Sequence, residues 1–408
     1  MSDKLAIFEK PVFDDSIIEN EYHTYSPYGS QTYSFSDEVR VSVQSQDVYT
    51  CPADSYIYIE GKITLPENVV VETEKKSLLE SMTNNAYGFL FEEIRYELNG
   101  VEIDRCKNVG ITSLIKNFLC LTPSEASGMQ VSGFTYPGVR ITTVADDGTF
   151  SGCISLKSIL GFAEDYDCIV VNARQELIMI LARSDKNSYK ADKDLGLSLT
   201  KIQWKLPHIN VNLVNKVNLV NTLQNDIPIS IGYRKWELYE LPALKDSTMD
   251  SWTVKTSTNL EKPRFVILAF QTDKKNSIRH DISEFSHANL RNIKLSLNSK
   301  TYPYDDLDLN FGKRKFSKAY MLYKMFQMSF YNRKKSEPLI PFEKFETHPL
   351  FVIDVSNQSD SDKTSSVDVQ LMFEANSNFP KNTCVYCLII SDAVIQYYPL
   401  NGIVNRVV

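Results

Sequence analysis

A short sequence near residue 94 returns near residue 293, about half of the 408-residue chain later. The first copy reads Ile-Arg-Tyr-Glu-Leu-Asn-Gly over residues 94–100, and the second reads Ile-Lys-Leu-Ser-Leu-Asn-Ser over residues 293–299. Each copy follows an apolar segment and precedes the clearest helical stretch of its half. A repeat at this spacing predicts two copies of one structural unit, each of about 200 residues.

Most of the chain alternates between apolar and polar residues, which is typical of half-buried β-strands. The alternation is clear over residues 39–43, 227–233 and 367–373. Residues 56–59 and 265–270 are apolar at successive positions, so we expect strands that are covered on both faces. The pattern predicts an all-β protein.

Turn and helix signals divide this β-rich sequence. Asn99-Gly100 separates two apolar runs and is a strong hairpin signal. Helical spacing of apolar residues is convincing only over residues 111–121 and 316–331, one segment in each half. The sequence therefore predicts two β-sandwiches with one short helix inserted in each and a seam between residues 210 and 226.

The composition is that of a folded protein, with 43% hydrophobic, 23% charged and 11% aromatic residues. The net charge of −7 gives the chain no overall attraction to nucleic acid. No apolar run approaches the roughly 18 residues that span a bilayer. The start of the chain has neither a secretory nor a mitochondrial signal pattern, and we expect synthesis in the cytosol.

Motifs for metal or cofactor chemistry are missing from the sequence. Seven cysteines form an odd, dispersed set, which argues against a disulfide framework. The single Cys-x-x-Cys, Cys384 to Cys387, lies in an apolar run that reads as a strand, where residues three apart point to opposite faces. The five histidines include no pair three or four apart. We predict no metal site and no cofactor.

Catalytic motifs are equally weak. Ser113-Leu-Ile-Lys116 matches Ser-x-x-Lys, but its usual partner motifs are absent, and we interpret it as helix surface. Residues 306–310 begin like a calcium loop, but Phe311 stands where glycine is required. No phosphate-binding loop or nucleophile elbow occurs. The sequence predicts a protein that is not an enzyme.

One basic cluster stands out in this acidic chain, at the two ends of the second predicted helix. Positive side chains in such a group are able to bind the phosphates of a nucleic acid. The alternatives are a solvated helix end or a contact between subunits. The cluster consists of Lys313, Arg314, Lys315, Lys318, Arg333, Lys334 and Lys335.

Longer stretches of the chain resemble a known family. They occur in one order over residues 88–105, 155–166, 172–183, 256–270, 297–306 and 397–402. Their sequences resemble double jelly-roll major capsid proteins of the adenovirus and tailless-phage lineage, and above all the double jelly-roll-like proteins of arthropod virus-like elements. The likeness extends from about residue 32 to the end of the chain.

The resemblance implies two tandem eight-stranded jelly rolls that act as a viral major capsid protein. We assign residues 1–30 to an N-terminal arm that reaches an adjacent subunit, 31–212 to the first roll and 213–408 to the second. Three subunits are expected to form a pseudo-hexagonal capsomer, and capsomers to tile an icosahedral shell. The implied partners are copies of the chain itself, neighbouring capsomers, a penton or minor capsid protein and, non-specifically, packaged nucleic acid. The implied location is the virion, after synthesis in the host cytoplasm and assembly there or in the nucleus.

Two other classes of function remain open at this point. A jelly roll also serves as a binding module for carbohydrate or peptide, and the solution mass separates a monomeric binding protein from a capsomer. A hydrolase or isomerase on a β-sandwich requires titratable residues gathered at a concave site. The sequence contains no local motif for such a site.

Overall fold

The computed structural model describes residues 16–29, 32–44, 49–67, 71–139, 141, 143–225, 227–256, 262–297, 300–357 and 368–407. The strands of the first half are β1 (Ile17–Tyr25), β2 (Glu38–Val43), β3 (Tyr49–Thr50), β4 (Tyr56–Thr64), β5 (Phe91–Leu98), β6 (Val101–Lys107), β7 (Thr149–Ser155), β8 (Gln175–Leu181) and β9 (Gly196–Val211). Those of the second half are β10 (Ile229–Leu241), β11 (Met249–Thr256), β12 (Pro263–Thr272), β13 (Leu290–Leu297), β14 (Lys300–Tyr302), β15 (Phe351–Asp354), β16 (Asp368–Ala375), β17 (Thr383–Tyr398) and β18 (Ile403–Arg406). The helices are α1 (Glu72–Leu79), α2 (Val109–Cys120), α3 (Pro123–Gly128), α4 (Gly161–Asp165), α5 (Leu213–Gln224) and α6 (Ser317–Tyr331).

The strands form four antiparallel sheets with a repeated order. In the first half the orders are β1-β9-β4-β7 and β2-β8-β5-β6. In the second half they are β10-β17-β12-β15 and β11-β16-β13-β14, which is the same pattern strand for strand. Each half is therefore an eight-stranded jelly roll, and β3 and β18 are short additions beside β9 and β17. The predicted doubled all-β fold is confirmed.

The internal sequence repeat falls on equivalent strands of the two rolls. Its first copy covers the end of β5 and the turn into β6, and its second covers the end of β13. Asn99 and Gly100 have φ angles of 50° and 79°, so they form the predicted hairpin turn with the left-handed backbone that this turn requires. Residues 298–299 of the second copy lie outside the described residues.

The two predicted helices are α2 and α6, and each lies between the fifth and sixth main strands of its roll. The prediction of one helix per roll was too low. The described chain also contains α1, α3 and α4 in the first roll, with eight, six and five residues. Such short helices are too brief to establish a helical period in the sequence. α5 lies in the predicted seam and has no buried residue.

Part of the predicted N-terminal arm is a strand of the first roll. β1 pairs with β9 along its whole length. Eight of its nine residues are exposed, so β1 lacks the buried face that makes alternation visible in a sequence. Residues 1–15 lie outside the described residues. The domain boundaries after residues 30 and 212 stay a prediction, the second of them falling where α5 begins.

The inner faces of the sheets form the two cores. β12 is covered on both faces, as its sequence predicts, because every residue of 265–270 is buried. β4 is covered on one face only, since Ile57 and Ile59 are fully buried while Tyr56 and Tyr58 are partly exposed. The expectation of two covered faces was wrong for β4 within a single chain.

Candidate assembly surfaces

The two rolls share their hydrophobic cores. The cluster of buried residues centred on the second roll includes Leu114 and Phe118 from α2 of the first roll. The cluster centred on the first roll includes Ile231 and Tyr233 from β10 of the second. Because each core contains residues of the other half, the rolls are fixed side by side as one rigid unit.

An arginine on β10 ties the second roll to α4 of the first. The backbone N–H of Arg234 donates to Asp165 Oδ2 over 2.7 Å, and its Nε donates to the same oxygen over 2.9 Å. Its Nη1 donates to the Phe330 carbonyl over 2.8 Å, and the guanidinium lies 3.7 Å from the centre of the Phe330 ring. The Arg234 and Asp165 side chains are both largely buried. This ion pair joins residues 69 positions apart, so no local sequence signal reveals it.

A buried lysine lies nearby. Lys116 Nζ is 2.8 Å from Glu164 Oε2 and donates to the Lys157 carbonyl over 2.7 Å. It also lies 5.3 Å from the centre of the Trp236 ring on β10. The interpretation of residues 113–116 as helix surface was wrong, because α2 packs between the first roll and α6 of the second and all twelve of its residues are buried.

Ser113 on α2 likewise has a structural role. Its hydroxyl donates to the Val109 carbonyl over 2.6 Å and accepts from Asn85 Nδ2 over 2.7 Å. Both contacts are local to the first roll, and Lys116 makes its own contacts with Glu164 and Lys157. The Ser-x-x-Lys match therefore reflects packing.

Tyrosine hydroxyls of the second roll donate hydrogen bonds to backbone carbonyls of the first. We call this buried contact between the two rolls the seam. Tyr233 on β10 donates to the Ile103 carbonyl over 2.6 Å. Tyr323 on α6 donates to the Phe118 carbonyl over 2.7 Å, and Tyr397 on β17 donates to the Val171 carbonyl over 2.7 Å. A buried tyrosine contributes a large apolar ring and needs one polar partner, which these carbonyls supply.

The predicted basic cluster divides into two groups. α6 separates them by about 21 Å, since its fifteen residues rise about 1.5 Å each. Lys315 pairs with Asp308, and Lys318 Nζ donates to the Asp306 carbonyl over 2.9 Å. At the other end, Arg333 lies 3.7 Å from a carboxylate oxygen of Glu125 and 4.7 Å from the centre of the Tyr331 ring. The remaining members, Lys313, Arg314, Lys334 and Lys335, are exposed.

Among the residues that the structure describes, no group of three or more histidine, cysteine, aspartate or glutamate side chains could hold a metal ion. Cys384 and Cys387 are both buried and unpaired on β17, as their strand-like context predicts. Burial raises the pKa of each thiol, so neither is a reactive thiolate near neutral pH. Within the described chain, no helix is long and apolar enough to span a bilayer.

Two jelly rolls of identical strand order, joined by a buried seam, define a double jelly-roll protein. The chain belongs to the double jelly roll-like domain family, whose model matches residues 80–395. No curated protein matches the chain.

Solved structures with the same fold come from several viruses. The Sputnik virophage structure is 9% identical with a TM-score of 0.62, covering 99% of this chain and 91% of that one. The PBCV-1 virus capsid model is 9% identical with a TM-score of 0.57, covering 98% of this chain and 99% of that one. The mavirus major capsid protein is 10% identical with a TM-score of 0.55, covering 100% of this chain and 93% of that one. At these identities the likeness concerns the fold.

Proposed function

We propose that this protein is the major structural subunit of an icosahedral viral capsid and performs no catalysis. The observation that carries the proposal is the repeated strand order of two rolls fixed together by a shared core. Proteins of the PBCV-1 capsid and mavirus share this architecture over nearly their whole length. A jelly roll alone does not specify a role, but a rigid pair of like rolls suits the tiling of a shell.

The capsomer is a trimer with a nearly hexagonal outline. Each chain supplies two sandwiches of similar build, so three chains place six similar units around one axis. Head-to-tail contacts of this kind form a closed ring when the rotation between neighbours matches the symmetry. The ring then offers six similar edges to neighbouring capsomers.

Five-fold positions of the shell need another protein. A ring built from three double rolls has six edges and does not fit a site with five neighbours. We therefore include a penton or minor capsid protein among the partners. The protein is located in the virion, after synthesis in the host cytoplasm and assembly there or in the nucleus.

The basic cluster serves contacts between subunits in this proposal. Its two groups lie at opposite ends of α6, and Lys315, Lys318 and Arg333 already engage acceptors of their own chain. Such a divided and partly neutralised set forms few phosphate contacts, so we expect weak DNA binding at physiological salt. In this proposal the predicted N-terminal arm, residues 1–30, contacts an adjacent subunit; trimers and shells that are unchanged after its deletion would exclude that role.

Sedimentation equilibrium of the purified full chain tests the proposed function. The expected mass at micromolar concentration is that of three chains. A strict monomer at all concentrations contradicts the capsomer and favours a binding module. Glycan and peptide arrays on the same sample then identify the ligand class of that alternative.

A further inference from the structure

The strands β1 and β10 hold the same place in the two rolls but differ in exposure. Each pairs with the last long strand of its roll, at the edge of the sheet. β10 packs against α4 and β6 of the first roll, and Ile231, Tyr233 and Trp236 are buried there. β1 is exposed at eight of its nine positions. The space that the first roll fills beside β10 is therefore open beside β1.

The helices α2 and α6 show the opposite asymmetry. All twelve residues of α2 are buried, because the helix packs between its own roll and the second roll. On α6, the side chains of Met321, Met325 and Met328 are 53%, 49% and 40% exposed. Their spacing places them on one side of the helix, and we call them the methionine face. α6 therefore presents an apolar surface where its counterpart in the first roll is covered.

An aromatic surface lies on the exposed side of the first roll. Tyr22 on β1 is 52% exposed, and its ring centre is 5.4 Å from that of Tyr56 on β4. Tyr58 is the next outward residue of β4 and is also partly exposed. We call these three residues the tyrosine face. The equivalent strand of the second roll, β12, is buried throughout residues 265–270.

The two faces are complementary in chemistry. Methionine sulfur makes favourable contacts with aromatic rings and its flexible chain fills irregular surfaces. α6 carries Lys318 and Lys324 and no acidic residue, whereas β1 carries Glu19 and Glu21 and no lysine or arginine. Opposite charges on these two elements favour the pairing at the β1 side of the tyrosine face. At its other side, Lys205 and Lys201 lie 5.7 Å and 6.0 Å from the centre of the Tyr58 ring, so the pairing there depends on apolar and aromatic contact.

We infer that the methionine face of one copy docks on the tyrosine face of a second copy. The contact repeats, between chains, the packing of the first roll's helices α2 and α4 against the second roll within one chain. The inference rests on the proposed capsomer and names the surfaces that close it. Because the two faces differ and lie on different rolls, the contact is heterologous and each copy uses both faces. Three copies complete a ring in which every sandwich meets the next through a similar seam.

Single charges placed on either face test this pairing. Met325→Glu and Tyr22→Glu each put a carboxylate into the contact, and we expect trimer affinity to fall about 30-fold or more, as for interface hot spots. Met372→Glu is the matched control, since Met372 is 41% exposed on β16 of the second roll, away from both faces. It is expected to leave the trimer intact. Circular dichroism and thermal unfolding verify that all three variants fold like the wild type.

Mixing the two face variants tests the head-to-tail geometry. Met325→Glu retains an intact tyrosine face, and Tyr22→Glu retains an intact methionine face. In the mixture, the methionine face of the Tyr22→Glu copy can still dock on the tyrosine face of the Met325→Glu copy. Sedimentation is therefore expected to show dimers that do not close into trimers. A mixture that stays monomeric overturns the heterologous pairing. A trimeric wild type whose two face variants also stay trimeric overturns the inference alone, whereas a monomeric wild type contradicts the proposed function.

Discussion

At the residue scale, the seam between the rolls depends on a few polar side chains within apolar surroundings. Arg234 and Lys116 are positive groups removed from water, and each has a carboxylate partner and a backbone carbonyl. Charges in such positions are tolerated only while their partners remain. These residues therefore make the two rolls one cooperative unit.

Asp165→Ala tests this dependence. It leaves the Arg234 guanidinium largely buried without its carboxylate, and we expect the free energy of unfolding to fall by about 3 kcal/mol. Asp392→Ala is the control, because Asp392 pairs with Arg264 over 2.6 Å at an exposed site. Its expected loss is below about 1 kcal/mol. Urea unfolding measures both, and equal losses would show that the seam pair has no special role.

Acid is expected to weaken the seam through His348. The ring packs edge-to-face on Phe118 of α2, with centres 5.6 Å apart. Burial lowers the pKa of His348 below its usual 6.5, although Glu284 and Asp281 act in the opposite direction. The unfolded chain therefore binds a proton more readily than the folded one. Stability is complete above pH 6.5 and falls as the pH drops from 6.5 towards the lowered value.

The measurement is the free energy of unfolding at pH 7.5 and pH 5.5, compared between wild type and His348→Gln. The variant is expected to lose less stability than the wild type on acidification, by at most about 1.4 kcal/mol, because the measurement extends one pH unit below 6.5. An unchanged pH dependence in the variant would assign the acid sensitivity to other groups. His208 and His287, whose pKa values burial also lowers, are the next candidates.

At the element scale, α4 and β10 approach each other so closely that only glycine fits between them. A Cβ atom at Gly161 would lie 1.7 Å from the Arg234 carbonyl oxygen. We expect Gly161→Ala to push the rolls apart and to lower the free energy of unfolding by about 1–3 kcal/mol. Gly232→Ala on β10 is the control, because a Cβ there meets no atom within 4 Å. A thermal unfolding shift of the same size in both variants would contradict this close approach.

The elements that the sequence predicts well are those with a buried face. The alternation over residues 39–43 corresponds to β2, and the apolar run at 265–270 lies within β12. β1 was missed because eight of its nine residues are exposed, so its sequence carries no apolar stripe. Tyr56 and Tyr58 predicted a covered face that a single chain does not provide. Both discrepancies lie on the surface that we assign to a neighbouring copy.

The seam itself was beyond sequence reasoning for a different reason. The Arg234–Asp165 pair joins side chains from different rolls, and the Lys116–Glu164 pair joins α2 to α4 within the first roll. Local spacing carries no record of such contacts. The predicted basic cluster shows that nearness in the sequence does not ensure nearness in the fold. Its two groups lie near the two ends of one helix and are about 21 Å apart.

At the scale of the whole molecule, the chain is a pair of similar sandwiches joined by a shared core. Each roll has one partly exposed surface, the tyrosine face on the first roll and the methionine face on the second. The shared cores join the two rolls, and in the proposed capsomer a similar arrangement recurs between chains. Stable assemblies of this kind commonly bury about 2,000 Å² or more at each contact. We propose that the seam within one chain resembles that contact.

Single-particle electron microscopy of the purified full-length protein tests the central claim most directly. The account predicts particles with three-fold symmetry and a hexagonal outline, in which six sandwiches surround one axis and each chain supplies two neighbours. Single chains, or assemblies in which the sandwiches do not alternate between first and second rolls around the axis, would contradict it.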